Sequence, residues 1–180
     1  GSLVTPEKLP FGKGYSIVEV QAPYGYVLDE TPVYFDVTED NSTEESGVTV
    51  VKVDKPNMAQ KGTITVEKTG EVFFGVSVIG GVDESGNELP TIYQPQYEKR
   101  GLPGAVYEIV AAEDIITPDG TVRNQNGEVV DTVTTDENGT AVSRELYLGK
   151  YEVREITAPH GMVLNPEPHC VELIYAGQNV

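Results

Sequence analysis

The sequence predicts an all-β chain, and three observations carry that prediction. Valine, threonine and tyrosine are frequent while tryptophan is absent and methionine occurs only twice, a balance that favours strands. The 19 glycines and 12 prolines are spread along the chain, as expected for many turns between short strands. No stretch keeps a helical period. The nearest, "GAVYEIVAAED" at 104–114, runs through Val106, Tyr107, Ile109 and Val110 and fits a core strand.

The strands follow in order: "YSIVEV" (15–20), "VYFDV" (33–37), "VTVVKV" (48–53), "TITVEK" (63–68), "AVYEIVA" (105–111), "EVVDTVTT" (128–135), "TAVSREL" (140–146), "YEVREI" (151–156) and "CVELIYA" (170–176). Asp119-Gly120, Asn126-Gly127 and Asn138-Gly139 supply the positive φ angles of tight hairpin turns. The acidic tract "TEDNSTEES" (38–46) reads as a solvated hairpin loop, and "KPNMAQKG" (55–62) as a junction.

A strand-turn-strand unit occurs twice. Aligning "YSIVEVQAPYGYVL" (15–28) with "YEVREITAPHGMVL" (151–164) pairs Tyr15 with Tyr151 and Glu19 with Glu155. The same alignment pairs Ala22 with Ala158, Pro23 with Pro159, Gly25 with Gly161 and Leu28 with Leu164. Two modules are expected, 1–60 and 61–180. The first copy begins so near Gly1 that its front strands are expected before it, and the second module is expected to find its last strand beyond Val180.

Composition excludes several classes of function. Asp plus Glu number 29 against 12 Lys plus Arg, and a net charge of −17 repels nucleic acid and acidic membrane surfaces. No run of about 18 apolar residues could cross a bilayer as a helix. Cys170 is the sole cysteine, so no internal disulfide can form. His160, His169 and Cys170 make no metal site, because neighbours on a strand face opposite ways, and "DENG" (136–139) fits a hairpin turn better than a calcium loop. No cofactor is expected. The pattern "NST" (41–43) matches a glycosylation acceptor.

Two ionisable residues break the apolar pattern. Alternation places Ile64, Val66 and Lys68 on one face of their strand, and Tyr151, Val153 and Glu155 on one face of theirs. Each stripe ends in a charge, and the two signs are opposite. A buried charge without a partner is costly, so Lys68 and Glu155 are expected to meet; the alternative is that each strand ends there, with both groups in water at the rim.

With "KGTITVEKTG" (61–70), "GAVYEI" (104–109), "TTDENGTAV" (134–142) and "LGKYEVREITAPHGMVL" (148–164) in order, the chain resembles the Cna B-type repeats of Gram-positive surface adhesins and pilins. Met162 stands where that family usually has tyrosine, and 71–100 is an insertion relative to its shortest members. The resemblance implies immunoglobulin-like or prealbumin-like β-sandwich modules in tandem. It also implies an isopeptide bond joining a first-strand lysine to a last-strand Asn or Asp, promoted by a central glutamate. Lys68 would be the nucleophile and Glu155 the promoter in the second module, and Glu19 the promoter and Asn57 the acceptor in the first, with Asp54 as fallback. Each site would find its remaining partner outside these 180 residues, with Asn179 a possible substitute acceptor. Burial should lower the Lys68 pKa and raise that of Glu155.

The function so implied is a stalk module of a bacterial cell-surface adhesin or pilus-like protein, extracellular and anchored to the cell wall. It is not an enzyme beyond one self-crosslinking turnover, and its partners are neighbouring modules of the same parent. The alternative is a binding module whose 71–100 insertion, with Phe73, Phe74, Tyr93 and Tyr97, holds a host matrix protein or glycan.

Overall fold

A computed structural model describes residues 1–40, 43–45 and 48–178, with no side-chain placement for 43–49. No helix occurs among the described residues. Two compact units emerge, Gly1–Gln60 together with the segment from Tyr175 onward, and Lys61–Ile174. They divide between Gln60 and Lys61. The expected 61–180 unit, however, cedes residues from Tyr175 to the first.

The first unit contains β1 (Gly12–Ile17) paired antiparallel with β2 (Val33–Val37), and β3 (Thr43–Glu45) paired with β4 (Val48–Val50). Tyr15 lies opposite Phe35 with the rings stacked at 5.7 Å, a cross-strand pair of the kind that fixes register. The acidic tract expected to be a hairpin loop instead supplies a strand, β3, that pairs with β4, while Asn41, Ser42, Ser46 and Gly47 lie outside the described residues. Residues 57–60 run beside the "YGYV" turn, with Val27 N–H donating to Met58 O at 2.9 Å and Gln60 N–H to Gly25 O at 2.8 Å. The cession of the tail has a clear cause. The buried Gln60 carboxamide donates to Gly177 O at 2.8 Å and accepts from Ala176 N–H at 2.7 Å, acting as a short stand-in for a strand.

The second unit holds the main core. Its strands are β5 (Lys61–Gly62), β6 (Thr65–Glu67), β7 (Thr69–Val82), β8 (Glu88–Gly101), β9 (Val106–Ala111), β10 (Ile115–Ile116), β11 (Val122–Asn124), β12 (Val129–Thr134), β13 (Thr140–Val142), β14 (Leu146–Tyr147), β15 (Gly149–Thr157) and β16 (His169–Leu173). A four-stranded antiparallel sheet has the order β12-β9-β15-β16. Opposite it lie the pairs β13-β6 and β14-β5, which send Ile64, Ala141 and Leu146 into a core shared with Tyr107, Ile109, Tyr151 and Val153. This is a β-sandwich: two layers bury alternate residues between them. All three expected turn glycines sit at positive φ, Gly120 and Gly127 at 83° and Gly139 at 77°.

Two expectations shift. "TAVSREL" is two short strands, not one, because Ser143 between them turns inward, exchanging hydrogen bonds of 2.9 Å with Ile64 through its hydroxyl and its N–H. The 71–100 insertion is a ribbon of two 14-residue strands, β7 and β8. Register breaks at Phe73/Gly75 and Ile79/Gly81 interrupt its alternation, which hides it from a period-two reading.

Candidate functional site

In β15 the stripe Tyr151, Val153, Glu155 runs into the core, and Glu155 is buried at the end of it. Tyr107 faces it directly across the β9–β15 ladder. Lys68 follows β6, and its ammonium reaches Glu155 Oε1 at 2.7 Å, with side-chain exposures of 19% for the lysine and 2% for the glutamate. The two opposite charges therefore meet inside the unit and are not rim residues. Tyr107 Oη donates to the same Oε1 at 3.4 Å, and Asn165 N–H donates to Oε2 at 2.8 Å. These groups, with Glu167 and His169, line a polar cavity of about 200 Å³.

The sequence motifs around Lys68 hold its backbone in place. Lys68 N–H donates to Gly139 O at 2.7 Å, and Lys68 O accepts from Leu102 N–H at 2.9 Å. A Cβ on Gly139 would lie 2.3 Å from Lys68 O, so only glycine fits where the "TTDENG" turn crosses the lysine strand. Asp136 Oδ1 closes that turn by accepting from Asn138 and Thr140 N–H at 2.9 Å. Thr135 Oγ1 donates to Leu102 O at 2.8 Å and accepts from Ala105 N–H at 2.9 Å, tying the turn to "LPGA".

The first unit repeats part of this arrangement. Asn57 Nδ2 donates to Glu19 Oε1 and Oε2 at 2.8 and 2.7 Å. Asp29 N–H donates to Glu19 Oε2 at 3.1 Å, as Asn165 N–H does to Glu155, and these two residues correspond in the repeat. Lys55 pairs with Asp29 at 2.6 Å, and that ammonium holds the Asp29 carboxyl well below the usual range, helped by Thr31. Asp54 is not brought to Glu19: Val53, Lys55 and Asn57 are half-buried while Asp54 is exposed. Asn179 lies outside the described residues.

The expected pKa shifts are reversed. The hydrogen bond from Lys68 to Glu155 outweighs burial and raises the lysine pKa. Burial pushes Glu155 up, but the hydrogen bonds from Lys68 and the Asn165 N–H prevail, and its pKa is lowered. Two mutually paired groups stabilise each other's charged form, which the argument from burial alone omitted. Burial also raises the Tyr107 hydroxyl.

Sequence reasoning missed Tyr107, Asn165 and Asp29. Tyr107 was visible as an apolar-face residue but its partner was not, and a backbone N–H leaves no trace in residue type. The signal for the other two was the repeat, which aligns Asp29 with Asn165 just past "YVL" and "MVL". Among the described residues no group of three or more His, Cys, Asp or Glu is placed to hold a metal ion.

A two-layer sandwich with a lysine–glutamate pair at the end of its core strands is consistent with a prealbumin-like module. The chain belongs to the SpaA family of prealbumin-like fold domains, which matches residues 1–52 and 94–179. Glu19 and Glu155 fall within the match, whereas Asn57, Lys68 and most of the ribbon fall between its two parts. The trypsin-resistant surface T6 protein of Streptococcus pyogenes serotype M6 is 40% identical over 48 residues, 27% of this chain and 9% of that protein. The Bacillus anthracis TIE protein is 28% identical with a TM-score of 0.53, over 96% of this chain and 24% of that one. The T6 backbone pilin structure of S. pyogenes, at 16% identity and a TM-score of 0.33, covers 77% of this chain and 37% of its own. The chain thus spans less than half the length of each of these three proteins.

Proposed function

We propose that this chain is a stalk module of a Gram-positive cell-surface adhesin or pilus-like protein, anchored to the cell wall, whose modules are stiffened by autocatalytic Lys–Asn isopeptide bonds. The observation that carries the reading is the buried contact of 2.7 Å between Lys68 and Glu155, with Glu19 holding Asn57 at the repeated position. Lys68 supplies the amine in one unit; Asn57 supplies the carboxamide in the other.

The chemistry follows from the charged pair. When an acceptor segment covers the cavity and excludes water, the Lys68 ammonium passes a proton to Glu155, leaving a neutral amine beside a neutral acid. The amine nitrogen attacks the acceptor Cγ, a C–N bond forms, and protonated by Glu155 the amide nitrogen leaves as ammonia. Glu155 then takes the surplus proton of the attacking nitrogen, so the lysine ammonium and the asparagine give one amide and one ammonia, and Glu155 returns to a carboxylate when it passes that proton on to the departing ammonia. Closing a loop of more than a hundred residues in this way is worth about 5 kcal/mol in the chain-entropy account. Tension then passes through covalent bonds.

The test is the intact mass of a longer piece of the parent that continues past Val180, beside its Glu155→Ala variant. Loss of one ammonia in the first and not in the second supports the reading. Full sequence mass in both refutes it.

A second reading, a module that holds a host matrix protein or glycan through 71–100, is favoured by the exposure of Phe73, Phe74, Tyr93 and Tyr97 on the ribbon. Replacing Tyr93 and Tyr97 by serine should abolish attachment to host matrix if it holds; unchanged attachment removes it.

A further inference from the structure

From Phe73 to Val78 the β7–β8 ribbon differs between its two faces, one apolar and one polar. Directly opposed residues share a face, so Phe73 with Tyr97, Val76 with Pro95 and Val78 with Tyr93 form one side. The intervening pairs, Gly75 with Gln96, Ser77 with Gln94 and, nearer the tip, Ile79 with Ile92, lie on the other. There the polar groups satisfy one another: Gln96 Nε2 donates to Ser77 Oγ at 3.0 Å, and Ser77 Oγ donates to Gln94 O at 3.4 Å. The first side has no such partners. Phe73, Val76, Val78, Tyr93 and Tyr97 are 49–70% exposed, and the Phe73 and Tyr97 rings meet edge to face at 6.0 Å.

An isolated two-stranded ribbon is marginal in water, and one with an apolar face needs something to cover it. Each exposed ring presents on the order of 100 Å² and each valine somewhat less, so the face offers about 500 Å². Two such faces together remove about 1,000 Å² from water, the lower limit for a specific interface.

We propose that this face pairs with the same face of a second copy of the chain, two ribbons stacking antiparallel about a two-fold axis through the Val76–Pro95 pair. Phe73 with Tyr97 lies to one side of that pair and Val78 with Tyr93 to the other, so the axis sets each pair of one copy on the opposite pair of the other. Charge selects the direction. The tip carries Asp83, Glu84 and Glu88 with no cation, and the ribbon's only cations, Lys99 and Arg100, stand at its base beside Glu71 and Glu98. Parallel stacking would crowd both acidic tips together, whereas antiparallel stacking sets each tip over the other copy's base. The two-fold face needs no isopeptide chemistry and stands apart from it.

Sedimentation of the chain from about 10 to 500 µM tests this, at 0.15 and 0.5 M NaCl. The weight-average mass should rise from 19.5 kDa toward twice that, more readily at high salt, where repulsion between copies of charge −17 is screened. The Tyr93→Ser/Tyr97→Ser variant, shown folded by its amide NMR spectrum, should weaken association at least tenfold. In a Cys170→Ser background, Val76→Cys on the axis should crosslink to its own copy with a short bismaleimide, while Ile79→Cys on the other face should not. A mass that stays at 19.5 kDa at both salts, or a tyrosine variant that associates as before, overturns the proposal and leaves the face to a different protein. Equal crosslinking at both cysteines overturns the stated geometry.

Discussion

Replacing Glu155 by glutamine tests whether the Lys68–Glu155 contact is a buried pair that couples two strands. The amide keeps the size of the carboxyl and an oxygen for the Asn165 N–H, but it leaves the Lys68 ammonium without its counter-charge. Removing one partner of a fully buried pair costs about 3–5 kcal/mol. Lys68 retains 19% exposure and can turn its head toward water, so about 2 kcal/mol is the expected loss. The companion Lys68→Met/Glu155→Gln variant removes both charges and should recover at least half of that, giving a coupling of about 1–2 kcal/mol. The assay is native-state hydrogen exchange at the amides of β9 and β15 as urea is added, which reads the second unit separately from the first. A loss below about 0.5 kcal/mol for Glu155→Gln, or additivity of the two substitutions within that margin, would refute the buried pair.

Gly139→Ala should cost about 3 kcal/mol or more in the second unit, because its Cβ would collide with Lys68 O at a φ of 77°; Gly127→Ala, at a φ of 83° with open space around it, should cost about 1 kcal/mol, and equal thermal shifts would sink the steric argument. The pKa of Glu155 is lowered on folding, so its contribution is present above the ordinary carboxylate range and is lost as pH falls through the folded value; Asp119, Glu128 and Asp136 act in the same direction. Urea midpoints should therefore fall below about pH 4, and a midpoint that rises there contradicts the shifts. Burial pushes the Tyr151 hydroxyl up to about 12, so its stabilisation is complete below its ordinary value near 10 and is lost as pH rises through 12. Tyr151→Phe should flatten that alkaline decline while losing the hydrogen bond to Tyr147 O at 2.6 Å, and an unchanged slope would assign the decline to Lys68, whose pKa is raised as well.

The sequence made β9, β12, β13, β15 and β16 legible because each is short and most alternate, and Asp119-Gly120, Asn126-Gly127 and Asn138-Gly139 mark the turns from β10 to β13. It also located the pair of charges, since Lys68 and Glu155 end stripes whose earlier members, Ile64, Tyr151 and Val153, are in the core. Three things were not legible. The ribbon was hidden because its bulges and glycines break alternation. The destination of residues 175–178 depends on hydrogen bonds from Gln60, whose type advertises no partner. The amide donors to Glu19 and Glu155 are backbone groups, and any residue at 29 or 165 supplies one.

The reversal of the expected pKa shifts bears on how such a site waits. A neutral lysine in an open cavity would be free to protonate or to react with small electrophiles, so burial alone is a poor way to store a nucleophile. Here Glu155 keeps Lys68 charged, and a charged amine has no lone pair to attack with. On the proposed reading, activation comes only with the segment that brings the carboxamide, because covering the cavity removes the water that stabilises two charges and makes proton transfer from lysine to glutamate favourable. In the first unit Glu19 holds Asn57 by two hydrogen bonds from its amide nitrogen, which on the same reading is the atom that departs. On the proposed reading the glutamate holds either reactant alone and moves a proton only when both are present, which would couple the chemistry to completion of the fold.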